Sequence, residues 1–439
     1  MENRTNMQIA MQLGAGYGID SGAWRMPGGD PTAYTNMDSY VKLAQTAERG
    51  KIQMLFMADT PALGVDLTNR PPQSPMDPML ALTVIARETE RIGLVATLST
   101  TFNDPYNVAR QFKALDVISH GRAGWNAVTT SNQAAAANFG SQVASRTERY
   151  ERAHEFIQLV QALWGSWEEG AMTLDVENGI YANMNKIKPI NLGGKYLSSH
   201  GPLPIPPSEQ GQPVIFQAGG GQEGLELAGL YASGVYASPY DIPSAKAYRE
   251  VVRQSAVNFG RNPDEVKVLP GFIPSIASTE HEALERRKHL DGYTDLTGKV
   301  SYLGAMLGVP LSFDDIDRPL SPELRKYANA NPQDPRSPRA LELVMRGMTI
   351  RDVLAHGVIN YHPIIAGTPE QVADFMEEWY VSGACDGFAI QPDASFDGVS
   401  AFVDQVIPIL QKRGLFHKDY EGTTLREHMG VSYQYGLRL

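Results

Sequence analysis

A single cysteine, Cys385, stands among the 439 residues. No disulfide can therefore form within the chain, and no cysteine-based metal site can be assembled. Long apolar runs are also missing. Nowhere do about 18 apolar residues follow one another, so no membrane-spanning helix is expected. The opening MENRTNMQIAMQLGAGYG lacks the apolar core of a secretory signal. Positive charge is scarce: 38 Lys and Arg against 49 Asp and Glu leave a net charge of −11. That balance argues against a general nucleic-acid binder or a protein held on an anionic membrane. The expectation is a soluble, cytoplasmic protein with no nucleic-acid or membrane partner.

What is present suits a large globular core, with 42% hydrophobic and 9% aromatic residues. Short apolar runs at 7–14, 52–59, 92–100, 121–129, 213–219, 234–238, 266–277 and 386–392 alternate with helical patterns. Continuous apolar strands separated by helices indicate a parallel sheet covered on its faces. Eight such repeats predict an α/β fold, a (β/α)8 TIM barrel. An open doubly wound sheet is the weaker alternative, because no Gly-x-Gly-x-x-Gly turn follows the first strand. Residues 166–212 and 280–362 break the alternation and are expected to be insertions in barrel loops of one domain, neither with an obvious core of its own. Residues from about 415 to 439 are expected to form a docked extension.

In a parallel barrel the ligand site lies at the C-terminal ends of the strands. Sorting residues by that rule collects Asp59 after the second strand, Thr97 on the third, with Ser99 and Thr101 as neighbouring alternatives, and Asn126 and Thr129 on the fourth. The stretch QAGGGQEG follows the fifth, and Arg146 and Tyr150 open a helix after the fourth. The set is polar but holds no Ser-His-Asp arrangement, no His-Glu-x-x-His and no metal-spaced carboxylates. Chemistry of that kind belongs to a bound cofactor that the protein positions, with no metal expected. The glycines of QAGGGQEG let the backbone approach a ligand, and the helix start behind them suits an anion such as phosphate. A tight structural turn is the alternative. Trp125 reads as core or pocket wall, His120 and His154 as structural, and Cys385 as a small buried residue.

The stretches FMADTPA (56–62), TLSTTFNDPYNVARQFKALDVISHGRAGWNAVTT (97–130), ERYERAHEFIQLVQALWGSWE (148–168), LGVPLSFDDIDRPL (307–320), GTPEQVADFMEEWYVSGACDGFAI (367–390) and TTLREHMG (423–430) run in order along nearly the whole chain. Together they resemble the nitrilotriacetate and dibenzothiophene-sulfone monooxygenase group of the bacterial luciferase-like flavin-dependent monooxygenases. The resemblance implies a barrel that takes reduced FMN as co-substrate from a separate NAD(P)H-dependent flavin reductase. Molecular oxygen would form a flavin peroxide that oxygenates a small organic substrate, with C–N or C–S bond cleavage among the family's reactions. A homodimer or homotetramer is implied as well.

Carried over by position, the family's FMN contacts fall on Asp59, Thr97, Asn126 and Tyr150. Arg146 stands where the family usually has histidine, and Gly220 and Gly221 stand where it usually has two serines. Both departures fall where the phosphate is expected. Backbone N–H groups at Gly220 and Gly221 and the planar fork of Arg146 are expected to hold it instead. Candidate substrate contacts are Tyr17, Asp20 and Trp24 in the first loop and Tyr302 and His362 in the large insertion, which is expected to act as a lid. The competing readings are a deazaflavin-dependent dehydrogenase on the same barrel and a non-catalytic flavin-binding protein.

Overall fold

The computed structural model describes residues 6–74 and 76–437. Eight parallel strands close on themselves: β1 (Gln8–Gln12), β2 (Met54–Met57), β3 (Gly93–Ser99), β4 (Ala123–Val128), β5 (Val214–Gln217), β6 (Gly234–Ala237), β7 (Lys267–Ile276) and β8 (Gly387–Ile390). The ring closes where β8 pairs with β1, Gln8 opposite Gly387 and Ala10 opposite Ala389. The expected (β/α)8 barrel is the fold, and each strand falls within its expected run. One strand of the barrel sheet was not foreseen. β7 continues past the rim, and Ile364–Gly367 pairs with its second half, Ile273 opposite Ile364. With only four residues next to Pro363 and Thr368, that segment carries too little periodicity to be recognised as a strand.

Helices cover the barrel, and several begin at a side-chain cap. Asp104 accepts the N–H groups of Tyr106 and Asn107 ahead of Pro105–Ile118, with proline in the first turn where its missing N–H costs nothing. Thr368 and Gln371 form a reciprocal capping box at the start of Pro369–Val381. Alternation along the strands then sorts side chains between two layers. On β3, Leu94, Ala96 and Leu98 join the core under the helices, whereas Val95 joins Ala10, Met54, Phe56, Val214, Phe216, Leu269 and Ala389 inside the barrel.

The floor of the barrel comes from the far end of the chain. Leu425, Met429 and Val431, in and just after the helix Leu425–Met429, complete the interior cluster. Two strand glycines make this possible. A Cβ at Gly93 would lie 2.5 Å from Leu425 Cδ1, and one at Gly124 would lie 3.1 Å from its Cδ2. Arg426 fixes the tail by donating to the carbonyls of Gln212, Pro213 and Ser432.

The run GRAGWN (121–126) decomposes on the same terms. Gly121 has φ 79°, open to glycine without strain. Arg122 is buried and donates to the carbonyls of Ser119, Ile92, Ala86 and Thr89 and to the Thr89 hydroxyl. Gly124 makes room for Leu425. Trp125 faces the helical layer and donates its indole N–H to Leu98 O at 3.1 Å. Only Asn126 is left to face inward at the mouth.

The expectation that the 280–362 insertion lacks a core is corrected. Leu296, Val300, Leu303, Leu307, Leu343 and Val353, with their neighbours, form a separate buried cluster. Its apolar residues are dispersed over short helices, Thr297–Leu307, Ser337–Met345 and Ile350–Ala355, none long enough to stand out in the sequence.

Truncating the floor should be costly. Leu425→Ala is expected to lower the unfolding free energy by about 2–5 kcal/mol, the range for emptying a packed leucine site. Urea denaturation followed by tryptophan fluorescence measures it, and a midpoint equal to the parent's would deny the tail its sealing role.

Candidate active site

At the mouth, β3 and β4 set Thr97 directly opposite Asn126. Asn126 Nδ2 donates to Thr97 Oγ1 at 2.9 Å. Both residues are buried, and Asn126 Oδ1 has no hydrogen-bond partner among the described residues. A buried acceptor left unmatched costs about 1–3 kcal/mol, so a ligand N–H or a water is needed there.

A second group of predicted residues converges beyond β5. Arg146 Nη2 donates to the carbonyl of Gly220 at 2.9 Å, and its guanidinium lies 5.4 Å from the centre of the Tyr150 ring. Gly221 has φ 79° and precedes the helix Gln222–Tyr231 with no side chain capping it. The Tyr150 hydroxyl approaches within 2.8 Å of where a Cβ at Gly219 would stand. Arg146, Tyr150, Gly220 and Gly221 therefore form one cradle of the kind that holds an anion: a helix start, glycine backbone and a guanidinium.

Two members of this cradle were not anticipated. Gln217 accepts the Gly219 N–H at 2.6 Å, which shapes the turn. Glu223 accepts from Arg146 Nε at 3.0 Å. Its own backbone N–H, followed by Arg146, holds this carboxyl below the usual range. Part of the arginine's charge is thus already matched. A carboxylate in the first turn of a glycine-led helix was the available signal in QAGGGQEG.

Asp59 lies at the end of β2 and lines a cavity of about 510 Å3 with Thr60, Asp77, Ser99, Phe102 and Phe139. The two phenyl rings stack there, 4.8 Å between centres. Burial, and then the charge of Asp77, push the Asp59 carboxyl up to about 6.

The remaining candidates separate. His362 reaches the mouth, where its Nε2 lies 2.5 Å from the Tyr236 hydroxyl on β6. Tyr236 and its other partner Gln391, also at 2.5 Å, were missed, since a tyrosine on a strand and a glutamine just past the end of one read as ordinary sheet residues. Tyr17 is buried and donates to Pro31 O at 2.8 Å. Asp20 pairs with the buried Arg287 at 3.0 Å, so its charge is matched within the fold. Trp24 is half-buried, with an indole N–H that has no partner among the described residues. Tyr302 sits on the insertion and donates to Asp334 at 3.1 Å. Arg336 then joins Tyr302 to the carbonyls of Ile359 and Asn360, just before His362.

Asp59 makes the pH dependence of stability testable. A carboxyl whose pKa is raised by folding favours the native state in its protonated form. That contribution is whole below the ordinary value of 3.8 and is lost as pH rises through about 6. Asp59→Asn, which stays neutral, should match the parent's thermal midpoint at pH 4 and exceed it at pH 8. Equal midpoints at both pH values would contradict the raised pKa.

Residues 20–386 match the family described as luciferase-like monooxygenase. The chain is 42% identical to the N-acetyl-S-(2-succino)cysteine monooxygenase of Bacillus subtilis (strain 168), over 97% of this chain and 98% of that protein. It is 37% identical to nitrilotriacetate monooxygenase component A of Aminobacter aminovorans, over 94% of each. A solved structure of riboflavin lyase with modified FMN and substrate riboflavin superposes with a TM-score of 0.78 at 30% identity, over 98% of this chain and 97% of that one. With the family matched over residues 20–386 and these relatives aligned over nearly the whole chain, the chain belongs to the luciferase-like monooxygenase family.

Proposed function

We propose that the chain is the oxygenase component of a two-component system. It takes reduced FMN from a separate NAD(P)H-dependent flavin reductase and uses molecular oxygen to oxygenate a small organic substrate. The observation that carries this reading is the pairing of an unmatched buried acceptor, Asn126 Oδ1, with an anion cradle at the same end of one barrel. A flavin mononucleotide has the complementary parts, a ring N–H and a phosphate. Asn126, with Thr97 behind it, would accept from the ring. Arg146, Tyr150 and the backbone of Gly220 and Gly221 would hold the phosphate. Asp59 would border the same ligand from β2.

Reduced flavin, when bound, supplies the electrons that activate oxygen. The protein's part is to bind, orient and exclude water. Phe56, Phe216 and Tyr236 close the space beneath the mouth, with ring centres 6.1 and 6.0 Å apart across Phe56. The insertion, tied down by Arg336, would cover it from above. Oxygenation at a carbon beside sulfur or nitrogen yields an adduct that collapses to a thiol or amine and a carbonyl compound. The names of two relatives, which act on a thioether and on a tertiary amine, agree with that outcome. No described helix is long and apolar enough to cross a membrane. A cytoplasmic location and a homodimer or homotetramer are part of the same proposal.

Thiol release from N-acetyl-S-(2-succino)cysteine tests the reaction. It should require FMN, NADH, a flavin reductase and oxygen together. Release under anaerobic conditions would end the oxygenase reading.

The cradle is tested by anaerobic titration with reduced FMN. Arg146→Ala should weaken binding by about ten- to a hundredfold, the effect of one charge-assisted contact. Glu223→Gln should tighten it, because the guanidinium is freed for phosphate. Unchanged affinity in both variants would place the phosphate elsewhere.

A further inference from the structure

The anion cradle opens outward into a groove. Two helices start at the cradle, Arg146–Trp164 and Gln222–Tyr231, and a cavity of about 670 Å3 lies between them. Tyr150 and Glu223 belong to the cradle and line the groove as well, so the two are continuous. The volume is within the range of pockets that hold drug-sized molecules, and Leu227, Leu230 and Phe259 give part of the lining an apolar character. A group attached to a phosphate in the cradle would have room there.

Charge, not space, decides what the groove accepts. Its lining holds four carboxylates, Glu151, Glu155, Glu223 and Glu226, against one lysine, Lys195. That lysine is already paired with Glu151 at 3.1 Å. Glu155 accepts the backbone N–H groups of Lys195, Tyr196 and Leu197 at 2.8, 2.8 and 3.1 Å, neutral partners that leave its charge in place. Glu226, one turn along from Glu223, accepts from the neutral side-chain amide of Gln222 at 3.1 Å. His154 adds no charge at neutral pH, because burial holds its imidazole below the ordinary value of 6.5.

The two common flavin nucleotides carry about the same charge, roughly −2, but place it differently. FMN gathers it on one terminal phosphate. FAD divides it over two linked phosphates, and the second continues into adenosine. With the ring at Asn126 and the first phosphate at Arg146, FAD keeps half of its charge in the cradle and carries the other half into the groove, among the carboxylates.

We propose that Glu223 and Glu226 are specificity-determining residues: they reserve the cradle for a flavin that ends at its phosphate and disfavour a dinucleotide by repelling its second phosphate. The inference rests on the FMN reading of the cradle and adds the basis on which FMN is chosen over FAD.

Anaerobic titration of the full chain with reduced FMN and with reduced FAD gives two dissociation constants, and their ratio is the observable. The parent should bind FMN at least about tenfold more tightly. Glu226 is the residue to change, since Glu223 also bears on Arg146. It is exposed, so its substitution disturbs no packing. Glu226→Gln, which keeps the size of the side chain and removes its charge, should tighten FAD about two- to fivefold, and Glu226→Lys about five- to twentyfold, with FMN shifted far less in both. Equal affinity of the parent for the two flavins would overturn the proposal. So would a ratio that neither variant changes, which would make the exclusion one of shape. Failure of the parent to bind reduced FMN at all is the distinct outcome that refutes the FMN reading of the cradle, and the proposal falls with it.

Discussion

A closed ring of eight parallel strands has room inside for side chains and little else. Every second residue of every strand must enter that space, so a ligand can sit only where the inward positions stop being filled. Here the filling is uneven by construction. Gly93 and Gly124 leave the lower barrel short of side chains, and the tail supplies Leu425, Met429 and Val431 in their place. Phe56 and Phe216 close the middle. Above them the inward residues become Thr97, Asn126, Tyr236 and Gly271, polar or absent. The site exists because apolar filling ends there, and the floor matters because it lets the strands stay narrow without a void below.

Much of this was legible in the sequence, and the reason is local. The eight strands are short apolar runs bounded by turn residues, and their alternation with helices is a strong pattern. Strand ends then collect Asp59, Thr97 and Asn126 together with neighbours such as Ser99, Thr101 and Thr129, and only the family resemblance singles out the first three. The glycines of QAGGGQEG and the helix start behind them likewise point to an anion, and the structure brings Arg146 and Tyr150 to that turn from about 70 residues away. A compact run such as GRAGWN is legible as special but not as to why. Its glycine makes room for a leucine 301 residues later, and its arginine ties together carbonyls on a neighbouring helix.

What was not legible is contact between distant segments that each look ordinary. Tyr236 sits on a strand and Gln391 just past the end of another, where aromatic and polar residues are common, and only the folded ring joins Tyr236 to both Gln391 and His362. Asp20, a candidate substrate contact, pairs with Arg287, which lies on a helix far along the chain and is buried with it, a contact the sequence does not show. The insertion's apolar cluster was hidden for a related reason. Its residues satisfy helical spacing only within segments of 6 to 11 residues, so the pattern appears when the segments pack, not before.

The two departures at the cradle are one structural fact. A side chain at position 221 would put its Cβ 2.3 Å from Arg146 Nη2, and the residue also adopts φ 79°. Arginine at 146 in this pose therefore excludes serine at 221, and glycine at 221 is what admits the guanidinium to the turn. The exchange removes a neutral hydroxyl and adds a permanent charge with a planar set of donors. That charge does not go unmatched, since Glu223 in the next turn takes one of its donors. On the proposed reading, a phosphate at this site would compete with a built-in carboxylate for the same guanidinium, where a hydroxyl would have no such rival.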